Sequence, residues 1–311
     1  MSSPVISIIL LTFNGGQPFA RTLHAIFSQT LKEPIREMPE VIVIDSGSTD
    51  DTLETARRYP AVVHAIRPEE FGHGRTRNLG ARLAHGDWLV YLSQDAIPAS
   101  LDWLFNLTRH LQRPEVAAAF GRQLPPPNVG PIETFFLEQT YPDRPFQHEP
   151  TTDGRTPIRR VFFSNVNAAL KKSVWEQNPF PDDVVMSEDQ AFARAALLAG
   201  HTIVYDPEAA VFHGHRYTLG QLFRRNFDSG YSLRAITHDR WRDVARLGLN
   251  YFWKEMRFLA RRGQWSYIPY ALLYEFVKSA GFAAGRLGRR LPAWLIPRLS
   301  LHTRHWAGIH E

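Results

Sequence analysis

Hydrophobic and polar positions fall into two regimes along the chain. In the first, short apolar runs rich in β-branched residues end in polar turn residues: Val5 to Leu11, Val41 to Ile44, Ala61 to Ile66 and Trp88 to Leu92. Runs of that length, bounded by turn signals, predict strands buried on both faces. Between them, at about Phe19 to Gln29, Thr52 to Tyr59 and Arg75 to Ala84, the pattern is helical. Strand and helix in alternation predict a parallel sheet covered on both sides, with its ligand site at the carboxyl ends of the strands. The residues to weigh first are therefore Thr12-Phe13-Asn14, the run Asp45 to Asp50, Arg67 to Gly74, and Ser93-Gln94-Asp95.

The alternation breaks at Leu124-Pro125-Pro126-Pro127-Asn128, and Tyr141 to Pro157 is polar and turn-rich, which predicts an insertion or a mobile loop. Order returns with Val161-Phe162-Phe163, the segment Asn165 to Leu170, a helix from Ser187 to Ala199, and two strands at Thr202 to Tyr205 and Ala209 to Phe212. After Thr218 the second regime begins, all-helical and rich in Trp, Tyr, Phe and Arg. There is no internal repeat of fixed period.

Composition adds limits. With 311 residues and 44% hydrophobic content, the chain suits one large α/β domain plus a helical appendage. The first apolar run lacks a basic flank and reads as a strand rather than a leader. There is no cysteine, so disulfides and thiolate metal sites are excluded, and any metal must be held by carboxylate, imidazole or substrate oxygens. The net charge of +5 is unevenly spread: from Phe212 onward stand 17 Lys and Arg against 6 Asp and Glu, leaving 19 against 25 before it. A basic tail meets phosphate, whether in nucleic acid, anionic lipid or a phosphorylated acceptor.

Three strand-end segments carry chemistry. Val41-Ile42-Val43-Ile44-Asp45 delivers a carboxylate into a Gly-containing turn ahead of a helix, where it can accept hydrogen bonds from a ribose or a base N–H, or simply shape the turn. Asp50 reads as a helix cap. Trp88 to Leu92 delivers Asp95 in the same way, and a hard cation bridging two phosphates needs such an oxygen ligand. In Phe71-Gly72-His73-Gly74-Arg75-Thr76-Arg77-Asn78 the glycines precede an Arg-rich helix. The third glycine of a dehydrogenase loop is misplaced there, and no acidic residue follows at the required spacing. Gly74, Arg75, Arg77 and Asn78 instead suit a diphosphate cradle. Met186-Ser187-Glu188-Asp189-Gln190 reads as a helix start with Ser187 at the N-cap.

Together these segments resemble glycosyltransferase family 2, which has the GT-A fold. The opening Ile-Ile-Leu-Leu-Thr12-Phe13-Asn14, the Asp45-Ser-Gly-Ser-Thr-Asp-Asp-Thr run, the Gln94-Asp95-Ala-Ile-Pro98 segment and Ser187-Glu188-Asp189 occur in that family's order and approximate spacing. The resemblance implies a Rossmann-like nucleotide-sugar-binding domain with a mixed sheet, and an inverting transfer of a sugar from a nucleoside diphosphate. It implies Asp45, Thr12 and Asn14 at the nucleoside, Gln94 beside the donor, and Asp95 on Mg²⁺ or Mn²⁺. Asp189 becomes the general base, with Glu188 and Asn165 on the acceptor side. Ser93 replaces the first Asp of the family's Asp-X-Asp element. That makes one imidazole of His213-Gly214-His215, assigned to His213, a second metal ligand. Gln221-Leu-Phe-Arg224-Arg225 is similar to the family's Gln-X-X-Arg-Arg segment near the diphosphate, although a plain solvated basic face has the same spacing. The phrase from Phe71 to Asn78 and the Ser-Gln-Asp-Ala form of the metal segment resemble the rhamnosyltransferase branch, which implies dTDP-L-rhamnose; a UDP-hexose donor is the alternative. A catalytically silent binding module would not need Asp45, Asp95 and Asp189 together.

The expected organisation is a catalytic domain at 1–215, nucleotide-binding over about 1–120 and acceptor-binding over about 121–215, followed by a helical region at 216–311. In that region Tyr251-Phe252-Trp253-Lys254 and Trp265 to Tyr270 interleave aromatic with basic residues. Tyr267 to Ala284 contains Glu275 and Lys278 and lacks the about 20 apolar residues of a span. A synthase with its own export channel is therefore disfavoured. The pattern suits helices lying on an anionic bilayer surface, where a polyprenyl-linked glycan acceptor would be met, or packing against the catalytic domain. No nucleic-acid motif accompanies the charge. The expected location is cytoplasmic, at the inner face of the cell membrane.

Overall fold

Strands β1 (Ile6–Thr12), β2 (Glu40–Asp45), β3 (Ala61–Ala65) and β4 (Trp88–Ser93) lie parallel in the order β3-β2-β1-β4. In the computed structural model residues 4–127, 129–151 and 154–307 are described; Asn128 of the proline-rich stretch and residues 152 and 153 of the turn-rich segment lie outside them. Helices α1 (Gly16–Phe27), α2 (Thr52–Arg57) and α3 (His73–Leu83) connect the four strands. Side chains alternate across the sheet with period two. Ile8 and Leu10 of β1 pack with Phe19, Leu23 and Ile26 of α1, while Ile9 faces the opposite layer with Ala81. Both faces are covered, which is why these strands read as unbroken apolar runs rather than alternating ones.

The second half is mixed. It contains β5 (Ile97–Pro98), α4 (Trp103–Thr108), β6 (Val116–Leu124), α5 (Pro131–Thr140), β7 (Phe146–His148), β8 (Asn167–Lys171), α6 (Lys172–Gln177), α7 (Glu188–Leu198) and β9 (Thr202–Phe212). β8 runs antiparallel between β4 and β6, and the sheet continues β6-β9-β5, with β7 also on β9. α5 lies between the proline-rich and turn-rich stretches and β7 within the second, so the expected insertion holds ordered elements of its own. β6 has little strand propensity in its Ala117-Ala118-Ala119 run; burial on both faces at the centre of the sheet, where small side chains fit, outweighs it.

The two strands expected at 202–212 are one. Asp206-Pro207-Glu208 does not end β9, because the register against β6 shifts between Gly121↔Asp206 and Gln123↔Val211, and Pro207, which has no N–H to give, sits in the irregularity. Val161 and Phe163, in the segment where order returns, plug the core beside β6.

Packed against α5 and α7, α8 (Leu219–Ile236), α9 (Trp241–Arg261) and α10 (Ile268–Arg286) form the expected helical region. α8 and α10 touch backbone to backbone. A Cβ on Gly285 would come within 2.0 Å of the Phe227 carbonyl oxygen, and one on Gly230 within 2.2 Å of that of Phe282.

Candidate active site

The register of the sheet builds a cluster of one carboxylate and two imidazoles with the spacing of a metal site. Ile97 of β5 pairs with Phe212 at the end of β9, and the His213 N–H donates to the Leu124 carbonyl at the end of β6. The loop before β5 and the segment after β9 therefore meet. Asp95 lies 3.6 Å from His213 Nε2 and 4.0 Å from His215 Nδ1. One ligand atom from each of the three lies within 4.8 Å of the others. His213 is buried, and its Nδ1 is 2.8 Å from Gln123 Oε1. Donation to Gln123 leaves Nε2 as the free lone pair facing Asp95, the tautomer a metal ligand needs. Gln123 is oriented in turn by its amide N–H groups, which donate to the Tyr141 hydroxyl at 2.6 Å and to Ser164 Oγ at 3.2 Å. Burial pushes His213 down to about 4, so the imidazole is neutral. One carboxylate and two neutral imidazoles, with room left for phosphate oxygens, fit a divalent cation of the Mn²⁺ type. His215 joins the set that the sequence assigned to Asp95 and His213.

Glu188 and Asp189 begin α7, and their environments push them apart. Glu188 is buried, and the Arg77 guanidinium donates to it; burial raises the carboxyl, and Arg77 with His73 more than offsets that, holding it below the ordinary range. Asp189 is pushed up to about 7, first by burial and then by the Glu188 charge. Its Oδ2 accepts from the Asn165 N–H at 3.2 Å and its Oδ1 from the Gln190 N–H at 2.8 Å. Adjacent carboxyls separated in this way are a usual basis for distinct acid and base roles. Ser187 occupies the N-cap position, but its hydroxyl makes no capping bond; its backbone takes φ 69°, a left-handed turn that aims the two acids.

Thr12, Arg77, Gln94, Asp95, Asn165 and His213 line one cavity of about 390 Å³. The Asn165 side chain is buried, and neither atom of its amide has a protein partner, which leaves a donor and an acceptor for a ligand. Other expected residues have different work. Asp45 spends both oxygens on its own turn, accepting from the Gly47 and Ser48 N–H groups and from the Thr12 and Ser48 hydroxyls, so Thr12 and Ser46 face the cavity instead. Asn14 accepts from the Thr49 N–H, and Gln94 exchanges two hydrogen bonds with the Phe13 backbone; both fasten loop to loop. Asn78 is no part of a diphosphate cradle: its amide is buried and bonded to Phe180, Asp182 and Trp175. Gly74 is small because Pro181 stands against it, a Cβ there coming within 2.2 Å of the Pro181 carbonyl oxygen. Arg75 and Arg224 are exposed, Gln221 closes a capping box with Thr218, and the Arg225 guanidinium lies over the Tyr217 ring at 5.4 Å.

Sequence reasoning missed Gln123, His215 as a ligand, and the cavity walls Phe71 and His73. His215 and Phe71 lie within segments already singled out; Gln123 carries no local signal at all.

A strand-end carboxylate beside two imidazoles, an acidic helix start and a cavity at the strand ends stand on a sheet of the GT-A type. The chain belongs to glycosyl transferase family 2, whose model matches residues 7–177, and it is a glycosyltransferase. It is 32% identical over 98% of its length to the O-antigen chain rhamnosyltransferase RfbN of Salmonella typhimurium, covering 96% of that protein. It is likewise 32% identical to the O-antigen chain rhamnosyltransferase WbaN of Salmonella anatum, covering 98% of this chain and 97% of that one. Among solved structures, the mannosyltransferase PcManGT from Pyrobaculum calidifontis, in complex with GDP-Man and Mn2+, superposes with a TM-score of 0.61 at 19% identity, over 92% of this chain and 87% of that one.

Proposed function

We propose that this chain transfers L-rhamnose from dTDP-L-rhamnose, with inversion, to a hydroxyl of a glycan or lipid-linked glycan during synthesis of a bacterial surface polysaccharide. The observation that carries the sugar is the full-length similarity to two O-antigen chain rhamnosyltransferases. In this reading Thr12, Ser46 and Phe13 receive the nucleoside, and Arg77 meets the diphosphate from the start of α3. Asp95, His213 and His215 would hold Mg²⁺ or Mn²⁺, which when bound neutralises the departing diphosphate. Asp189 takes the proton from the attacking acceptor hydroxyl, and its raised pKa suits a base working near neutrality. Glu188, kept ionised by Arg77, holds the pair's orientation, and Asn165 offers its free amide to the acceptor.

The division into a catalytic part at 1–215 and a helical part at 216–311 belongs to the same reading, with the helical part resting on the cytoplasmic face of an anionic membrane. No described helix is long and apolar enough to cross a membrane. Trp253, Trp265, Phe276 and Trp294 are nonetheless largely exposed.

A donor panel decides the sugar: dTDP-L-rhamnose, UDP-glucose, UDP-galactose, UDP-N-acetylglucosamine and GDP-mannose, assayed for nucleoside diphosphate release with and without divalent metal. The expected result is metal-dependent release from dTDP-L-rhamnose alone, with an inverted anomeric centre in the product by NMR. Turnover of a UDP-hexose in its place would replace the donor, and equal turnover in excess chelator would remove the metal.

A further inference from the structure

Beside the catalytic cavity lies a second, more open one of about 830 Å³, and His215 lines both. Its size falls in the roughly 300–1,000 Å³ range of ligand sites. One wall is the start of α5, with Glu133; another is the segment leaving β9, with Tyr217; the third is Tyr267, Tyr270 and Tyr274 at the start of α10. These three tyrosines recur at intervals of three and four residues, so the helix presents them as one stripe. The Tyr270 and Tyr274 rings stand 6.1 Å apart. Tyr267 and Tyr270 are more than two-fifths exposed, so their ring faces are open to a ligand in the groove.

We infer that this tyrosine-lined groove, running from His215 along the first turns of α10, is the seat of the acceptor's sugar chain. The inference rests on the transferase reading of the adjoining cavity and deepens it. A sugar ring has one face of C–H groups and a rim of hydroxyls. A tyrosine matches it with an apolar ring face and a phenol, at the entropic cost of only two side-chain torsions. The groove carries one charge of each sign, Glu133 and Arg216, which selects neither a polyanion nor a polycation. The Glu133 carboxylate already accepts the His215 N–H at 3.3 Å and has further lone pairs for ring hydroxyls. A lipid chain would offer no hydrogen bond to Arg216 or to the phenols of Tyr267, Tyr270 and Tyr274 that line the groove. Contact of the groove with the metal cluster through His215 places the end of such a chain beside the reacting centre, so its terminal hydroxyl is the one presented.

The test uses the full chain and the variants Tyr270→Ala, Tyr270→Phe and Tyr267→Ala. Both positions are exposed enough for truncation to leave the fold intact, which circular dichroism checks. Binding of methyl glycosides of galactose, glucose, mannose and N-acetylglucosamine is followed by saturation-transfer NMR, and nucleotide affinity by titration with the diphosphate. We expect at least one glycoside to bind the parent chain, its affinity to fall about tenfold in each Ala variant, and Tyr270→Phe to stay within about threefold of the parent. Nucleotide affinity should not change. Glycoside binding that survives both Ala variants, that is absent from the parent, or that falls only together with nucleotide affinity would overturn the groove as the acceptor seat. Because none of these readouts needs turnover, a wrong donor assignment leaves the result standing.

Discussion

At the scale of the residue, the site is set by which lone pairs and protons are left free. As the proposed base, Asp189 would have to be ionised to accept a proton, and its carboxyl is pushed up to about 7 by burial and the Glu188 charge. Transfer should therefore climb as pH rises through the neighbourhood of neutrality and level off above it. The Asp189→Asn enzyme should lose about 10²–10⁴-fold in turnover and retain nucleotide affinity, since the amide cannot take the proton. A pH–rate profile of both proteins checks this, and an unchanged limb in the variant would pass the role to another group. Gln123 stands behind His213, 2.8 Å from its Nδ1, and in the proposed site it acts by fixing the His213 tautomer. Gln123→Ala should weaken metal activation by about 10–100-fold with the maximal rate at saturating metal largely kept. A Mn²⁺ titration of activity reads that directly.

At the scale of the element, glycine decides how closely helices approach. Gly285 of α10 lies against the α8 backbone, and a Cβ would meet the Phe227 carbonyl oxygen at 2.0 Å, so one helix must move. Gly285→Ala should lower stability by about 1–3 kcal/mol, as overpacked sites do. Gly248, in α9, has nothing within 4 Å of an added Cβ. Gly248→Ala should raise stability by about 0.5–1 kcal/mol, because alanine loses less backbone freedom on entering a helix. Urea unfolding of the two variants gives opposite signs if packing, and not composition, governs the helical region.

At the scale of the whole molecule, the charge imbalance and the exposed aromatics lie in the same third of the chain. Trp265 is 64% and Phe276 70% exposed, and 17 of the 36 Lys and Arg residues follow Phe212. Liposome flotation should show binding that grows with anionic lipid, each basic residue near the surface contributing about 1 kcal/mol. Raising salt should release the protein as the Debye length shortens. Binding indifferent to lipid charge would mean that these rings serve a protein contact.

The sequence by itself determined the unbroken apolar runs and the helical patterns, and hence the parallel first half of the sheet, the helical tail and the places where strands deliver polar residues. Four motifs in order named the family, and the lack of cysteine limited metal ligands to oxygen and imidazole. These are local properties: a buried strand must be apolar, a turn must carry polar or glycine residues, and neither condition depends on distant partners. Register belongs to the tertiary structure. Only the pairing of Ile97 with Phe212 brings Asp95 to the two histidines, and only the junction of β6 with β9 puts Gln123 behind His213. The same holds for Asn78, whose amide bonds Phe180 and Trp175, about a hundred positions away, instead of a diphosphate. Contacts across that much chain leave no periodic trace, because side-chain spacing records which face is buried and not what covers it.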